Sequence, residues 1–102
     1  MRAARLRTKH LPVGLQTAPA LELLLVVYLA EQERRELRAS VACDEAAIAH
    51  ATGFAWINRL EEAALLRRHA SSENSKYALL RLTDEGRLRM GALLAELDGE
   101  WF

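Results

Sequence analysis

Between residues 40 and 83 the spacing of the apolar positions changes several times, and the changes divide the segment into helix, turn, helix, strand, polar loop and strand. Ser40 precedes Val41-Ala42-Cys43-Asp44-Glu45-Ala46-Ala47. Its hydroxyl is expected to satisfy a free N–H of the first turn, which predicts a short helix over 41–47. From His50 a longer helix is expected over 50–64. Gly53, Trp56, Ile57, Leu60 and Ala64 recur there at steps of three and four and so share an inward face. Ala51, Thr52, Ala55, Asn58, Arg59 and Glu62 fall on the opposite face. Next comes Leu65-Leu66-Arg67-Arg68-His69, then residues 70–76, which have turn chemistry and no apolar period and read as a hairpin tip. The return strand over 77–83 alternates, with Tyr77, Leu79 and Arg81 on one side and Ala78, Leu80 and Leu82 on the other.

The flanks carry more apolar surface than one small core can cover. In a first helix over 21–33, Leu21, Leu24, Leu25, Tyr28 and Leu29 fill one side. Leu23, Val26, Val27 and Ala30 leave hardly any polar face before Glu31. A charged turn, Arg34-Arg35-Glu36, and a short strand over 37–39 are expected to follow. Past the hairpin, Thr83 is placed to cap a last helix whose first turn takes Asp84 and Glu85. Along that helix Met90, Leu93, Leu94, Leu97 and Trp101 form a stripe that asks for a partner. The whole pattern predicts a mainly α fold with a small antiparallel β wing, a winged helix-turn-helix over 19–102 with its wing over 66–82. A basic arm, flexible by composition, precedes it over 1–18.

In such a fold the outward face of the second helix of the pair enters the major groove. Thr52, Asn58 and Arg59 are therefore the leading candidates for base or phosphate contacts. Ala51 and Ala55 would approach apolar base edges such as a thymine methyl. His50, at the N-terminal end of the helix, either meets a base or phosphate or is a surface histidine with no task. Arg67 and Arg68 flank the junction with the wing, where they hold phosphates or pair with Glu61, Glu62 or Glu73. Lys76 would anchor the wing. Arg59 has a local alternative in Glu61 or Glu62, and Trp56 reads as core.

The segment Arg59-Leu60-Glu61-Glu62-Ala63-Ala64-Leu65-Leu66-Arg67-Arg68, a wing, and then Leu80-Arg81-Leu82-Thr83-Asp84-Glu85-Gly86-Arg87 resembles the MarR-type winged-helix transcriptional regulators, over roughly residues 21–97. The resemblance implies a homodimer joined through its terminal helices. Two recognition helices would then meet successive major grooves about 34 Å apart. It also implies regulation by a small-molecule effector, whose identity is not legible here. Three positions depart from the family pattern. Ala55 stands where a polar side chain is usual, and Glu73-Asn74-Ser75-Lys76 stands where the wing carries an arginine. Ala64 replaces the usual glycine, so the backbone there is expected to leave the left-handed region.

Composition narrows the alternatives. Bases and acids number 14 each, and a formally neutral domain does not coat DNA by electrostatics alone. The charge is unevenly spread. Residues 1–20 hold Arg2, Arg5, Arg7 and Lys9 and no acid. The arm either tracks phosphate or the minor groove, or is a solvated tail that aids solubility or docks on the acidic body of a partner subunit. Cys43 is the one cysteine, which excludes an internal disulfide and suggests a reducing, cytoplasmic setting. The histidines at 10, 50 and 69 lack the i,i+4 spacing of a helical metal pair, and no nucleophile elbow or phosphate-binding glycine loop is present. No metal, cofactor or catalytic activity is expected. The longest apolar run, eight residues over 23–30, is well short of the ~20 needed to cross a bilayer, so no membrane partner is expected. The expected partner is double-stranded DNA. The rival reading is a winged-helix protein-interaction module that has lost most DNA affinity, favoured by the neutral charge, Ala55 and the wing without arginine.

Overall fold

The computed structural model describes residues 17–70 and 78–101, with side chains as far as 97. Four helices and two strands follow in order: α1 (Ala18–Gln32), α2 (Ala39–Glu45), α3 (His50–Glu62), β1 (Leu66–Ala70), β2 (Ala78–Leu82) and α4 (Asp84–Trp101). This is the expected winged helix-turn-helix. The basic arm before Thr17, together with Glu73, Lys76 and Tyr77 of the wing, lies outside the described residues.

Helix α1 starts where Thr17 is extended and Pro19 occupies the first turn, a position that costs no hydrogen bond. Its buried face differs from the expected one. Ala20, Leu23, Leu24, Val27 and Ala30 are fully buried, whereas Leu21, Leu25 and Tyr28 are half-buried and Leu29 is 48% exposed. A helix that is apolar all round gives periodicity no face to select, and packing against α2, α3, α4 and β2 makes the choice instead. Likewise Met90 and Leu93 of the α4 stripe are spent on the chain's own core, each 1% exposed, while among the described side chains of that stripe Leu94 and Leu97 are half-buried.

Helix α2 begins two residues earlier than expected. Its N-cap is Arg38, extended at φ −72° and ψ 145°, with no side-chain cap, so Ser40 lies inside the first turn and does not cap it. The strand expected over 37–39 contracts to one bridge between Arg38 and Leu79, beside which the Leu80 N–H donates to the Leu37 carbonyl at 2.8 Å. That bridge holds Arg38 extended and fixes where the helix can start.

Helices α1, α2 and α3 end in one way. Arg34, Ala47 and Ala64 adopt φ of 57°, 57° and 59°. In each, this residue donates to the carbonyl three back and the next one to the carbonyl five back. Leu65 N–H to Leu60 O at 2.9 Å and Ile48 N–H to Cys43 O at 2.9 Å are two of these bonds. These are Schellman caps built without glycine. Ala64 thus stays in the left-handed region, contrary to expectation, because Thr83 holds the corner from outside. The Thr83 N–H donates to Leu65 O at 3.0 Å and its hydroxyl donates to Ala64 O at 2.5 Å.

The hairpin pairs Leu66 with Leu82, Arg67 with Arg81, Arg68 with Leu80, His69 with Leu79 and Ala70 with Ala78. Leu80 and Leu82 turn into the core and Arg81 outward, as the alternation predicts. Thr83 then caps α4 as expected, its Oγ accepting from the Gly86 N–H at 3.0 Å. Glycine at 86 has a steric reason, since a Cβ there would stand 2.2 Å from the Leu65 carbonyl oxygen.

Candidate nucleic-acid interface

The site is built on α3, and the turn before it sets how α3 is presented. Ala47 in the left-handed region reverses the chain after α2, and α3 then crosses α2 at a point of close approach. A Cβ on Gly53 would lie 2.2 Å from Cys43 Sγ, so glycine sets this crossing distance. Cys43 is fully buried there, and burial, with Asp44 adding to it, pushes its thiol above the ordinary range. Gly53, Ile57 and Leu60 face the core. Ala51, Thr52, Ala55, Asn58, Arg59 and Glu62 are exposed, so the sequence-predicted outward face is the observed one.

Individual side chains on that face are positioned by neighbours. The His50 Nε2–H donates to Asp44 Oδ1 at 2.7 Å, tying the first turn of α3 to the end of α2, and its ring lies 5.8 Å from that of Phe54. The Arg59 guanidinium lies over the half-buried Trp56 ring, 4.9 Å from its centre, rather than on Glu61 or Glu62. Ala51, Thr52, Ala55, Trp56 and Arg59 line one open concavity whose floor is small and apolar.

The wing joins this face through Arg68. Its guanidinium donates to the Asn58 side-chain carbonyl and forms an ion pair with Glu61 at 2.8 Å. Two predicted contact residues are thereby brought together, with Glu61 offsetting part of the charge. Arg67, one residue along, is on the other side of the hairpin and opposite Arg81. Sequence reasoning singled out neither Arg81 nor Phe54, which is 37% exposed on α3, as a contact residue. Arg81 was legible as an outward strand position, but only the hairpin register sets it against Arg67. Among the described residues no group of acidic, histidine and cysteine side chains could hold a metal, and no helix is long and apolar enough to cross a membrane.

No family model matches the chain, and no curated protein matches it. Solved structures do resemble it. The transcription regulator MarR from Oenococcus oeni PSU-1 superposes with a TM-score of 0.74 at 21% identity, covering 98% of this chain and 70% of that one. A mutant form of S. aureus MepR gives a TM-score of 0.79 at 16% identity over 97% of this chain and 68% of its own. The transcriptional repressor CouR, solved on a 23-mer DNA duplex, gives 0.71 at 17% identity over 91% of this chain and 60% of its own. The order of helices, the helix-turn-helix and the antiparallel wing thus make this chain a bearer of the MarR-type winged-helix fold.

Proposed function

We propose that this protein is a MarR-like transcriptional regulator that binds duplex DNA as a homodimer through α3 and the wing. One observation carries the reading: the outer face of α3 is uncovered and bears Thr52, Asn58 and Arg59, with Arg68 of the wing beside it. A helix of this kind lies in a major groove with its N-terminal half toward the bases. Thr52 and the Asn58 amide would supply hydrogen bonds, the Asn58 NH2 as donor while its carbonyl accepts from Arg68. Ala51 and Ala55 would meet thymine methyls, and Arg59, Arg68 and Lys76 would take phosphates. His50, bound to Asp44, orients the start of the helix and needs no base to explain it. The CouR structure on a duplex supports the DNA-binding reading for this architecture.

Dimerisation is supported by the apolar surface left over by the single chain. Leu29 is 48% exposed and Leu88 68% exposed, with Leu21, Leu25 and Leu97 half-buried. Occupying promoter DNA as a two-fold assembly is a non-enzymatic mode of action.

A second reading, a protein-interaction module on the same fold, is favoured by the Arg68–Glu61 pair, which reduces the positive charge that α3 would bring to a phosphate. Titrating fluorescent mixed-sequence duplex with the protein at low and raised salt separates the two. Binding that weakens steeply with salt supports the regulator. A folded dimer that leaves the duplex free at low salt supports the interaction module.

A further inference from the structure

Arg67 and Arg81 are direct cross-strand partners in the hairpin, both exposed, and among the described residues neither makes an ion pair. Like charges directly opposite each other destabilise an antiparallel pair. Glu31 and Glu36 border a concavity that Arg81 also lines, but among the described residues neither forms an ion pair with it. Arg67, Arg81 and Arg87 line a second concavity, and Arg87 is already engaged by Glu31 and Asp84, at 2.9 and 3.0 Å. Asp84 also borders the concavity, but it is directed to Arg87. His69 lies on the same side of β1 as Arg67, because side chains alternate along a strand. The opposite side of the hairpin has its own arginine, Arg68, turned toward α3. A two-stranded ribbon with cations on both faces is suited to lie between two strands of phosphates, one on each side.

We propose that Arg67 and Arg81 together hold one phosphate oxyanion on the outward face of the hairpin. This phosphate belongs to the backbone of the duplex whose major groove receives α3; that assignment rests on the DNA-binding reading above. Guanidiniums carried on directly opposed strand positions can both donate to an acceptor with several lone pairs, and the anion removes their mutual repulsion. Arg81 becomes a contact residue and Arg67 a phosphate ligand on the far side of the wing from Arg68.

The test uses the full chain with Arg67→Gln and Arg81→Gln. In anisotropy titrations each variant should bind every duplex roughly tenfold more weakly. The slope of log affinity against log salt should be shallower by about 0.9 for a lost phosphate contact. The thermal midpoint of the free protein should stay or rise, since a like-charge pair is removed. Unchanged affinity and slope in both variants would overturn the proposal and leave α3 as the DNA-binding element. A fall in affinity accompanied by a lower midpoint is a folding effect and counts against it as well. If the wild-type chain binds no duplex at low salt, the DNA-binding reading fails, and NMR titration with inorganic phosphate decides the remainder. Saturable shifts at the Nε–H of both arginines would uphold the oxyanion pair, and their absence would overturn it.

Discussion

Gly53 of α3 and Cys43 of α2 touch so closely that the helix-turn-helix has no room for one more carbon: a Cβ at 53 would meet the Cys43 sulfur at 2.2 Å. A sulfur on a buried helix cannot swing away. Gly53→Ala should therefore destabilise by about 2 kcal/mol, the overlap outweighing the roughly 1 kcal/mol that alanine gains over glycine within a helix. Adding Cys43→Ala should recover most of the loss, because the Cys43 Cβ, 3.1 Å from the new carbon, and the Ile48 Cγ2, at 3.7 Å, would then be its nearest neighbours. A double-mutant cycle in urea measures this coupling. Additive losses would mean that the two helices are spaced by something else.

Cys43 itself should be a poor nucleophile. It is fully buried, and its thiol is held above the usual range by desolvation. Thiol reagents should modify the native chain only through opening, at a rate that rises with denaturant. The linkage has a definite sign. A thiol whose pKa is raised on folding contributes its full share of stability below the unfolded value of ~8.5 and loses it as pH rises through the folded value. Stability of the wild type should fall above about pH 8.5 relative to Cys43→Ala, and parallel stability curves for the two would contradict this.

Ala64→Gly should stabilise the fold. An L-residue in the left-handed region costs about 1–2 kcal/mol, and glycine gives back about 0.4–1 kcal/mol through unfolded-state entropy. A net gain of about 0.5–1 kcal/mol should raise the thermal midpoint by roughly 3–6 °C. Ala47→Gly, at φ 57°, should act in the same direction. A lower midpoint for both would show that the caps are not strained.

Glu31 joins three elements. One of its oxygens accepts the Leu82 N–H at 2.7 Å and the other meets Arg87 at 2.9 Å, which raises the Arg87 pKa. Glu31→Ala would leave the half-buried Leu82 N–H without its acceptor and Arg87 with only Asp84 and the Leu82 carbonyl, at a cost of about 2 kcal/mol. Glu31→Gln, which keeps a carbonyl for Leu82, should cost less. Hydrogen exchange at Leu82 reports the difference, and equal protection in wild type and Glu31→Ala would remove this clamp from the account.

What the sequence disclosed follows from the range of each interaction. The outer face of α3 was legible because Gly53, Ile57 and Leu60 repeat at helical spacing against polar Thr52, Asn58 and Arg59. The Thr83 cap was legible because its acceptor and donor lie three residues apart. Other features depend on distant partners. Ser40 looks like a cap until the bridge from Arg38 to Leu79 moves the helix start two residues earlier. The face of α1 was hidden by its uniformly apolar surface, and the reach of Glu31 to Leu82 spans 51 residues. The Arg67–Arg81 pairing needs the hairpin register, which residue types at 66–82 do not specify.

The central claim is that the exposed side of α3 reads a duplex, and it is tested most directly by anisotropy titration of wild type, Asn58→Ala and Lys76→Ala against sites chosen from random duplex by the wild-type protein. Asn58→Ala should flatten the preference at one base pair by about 1–3 kcal/mol, whereas Lys76→Ala should weaken all sequences alike. Selection that enriches no sequence, with an Asn58→Ala variant indistinguishable from wild type on every duplex, would contradict the account.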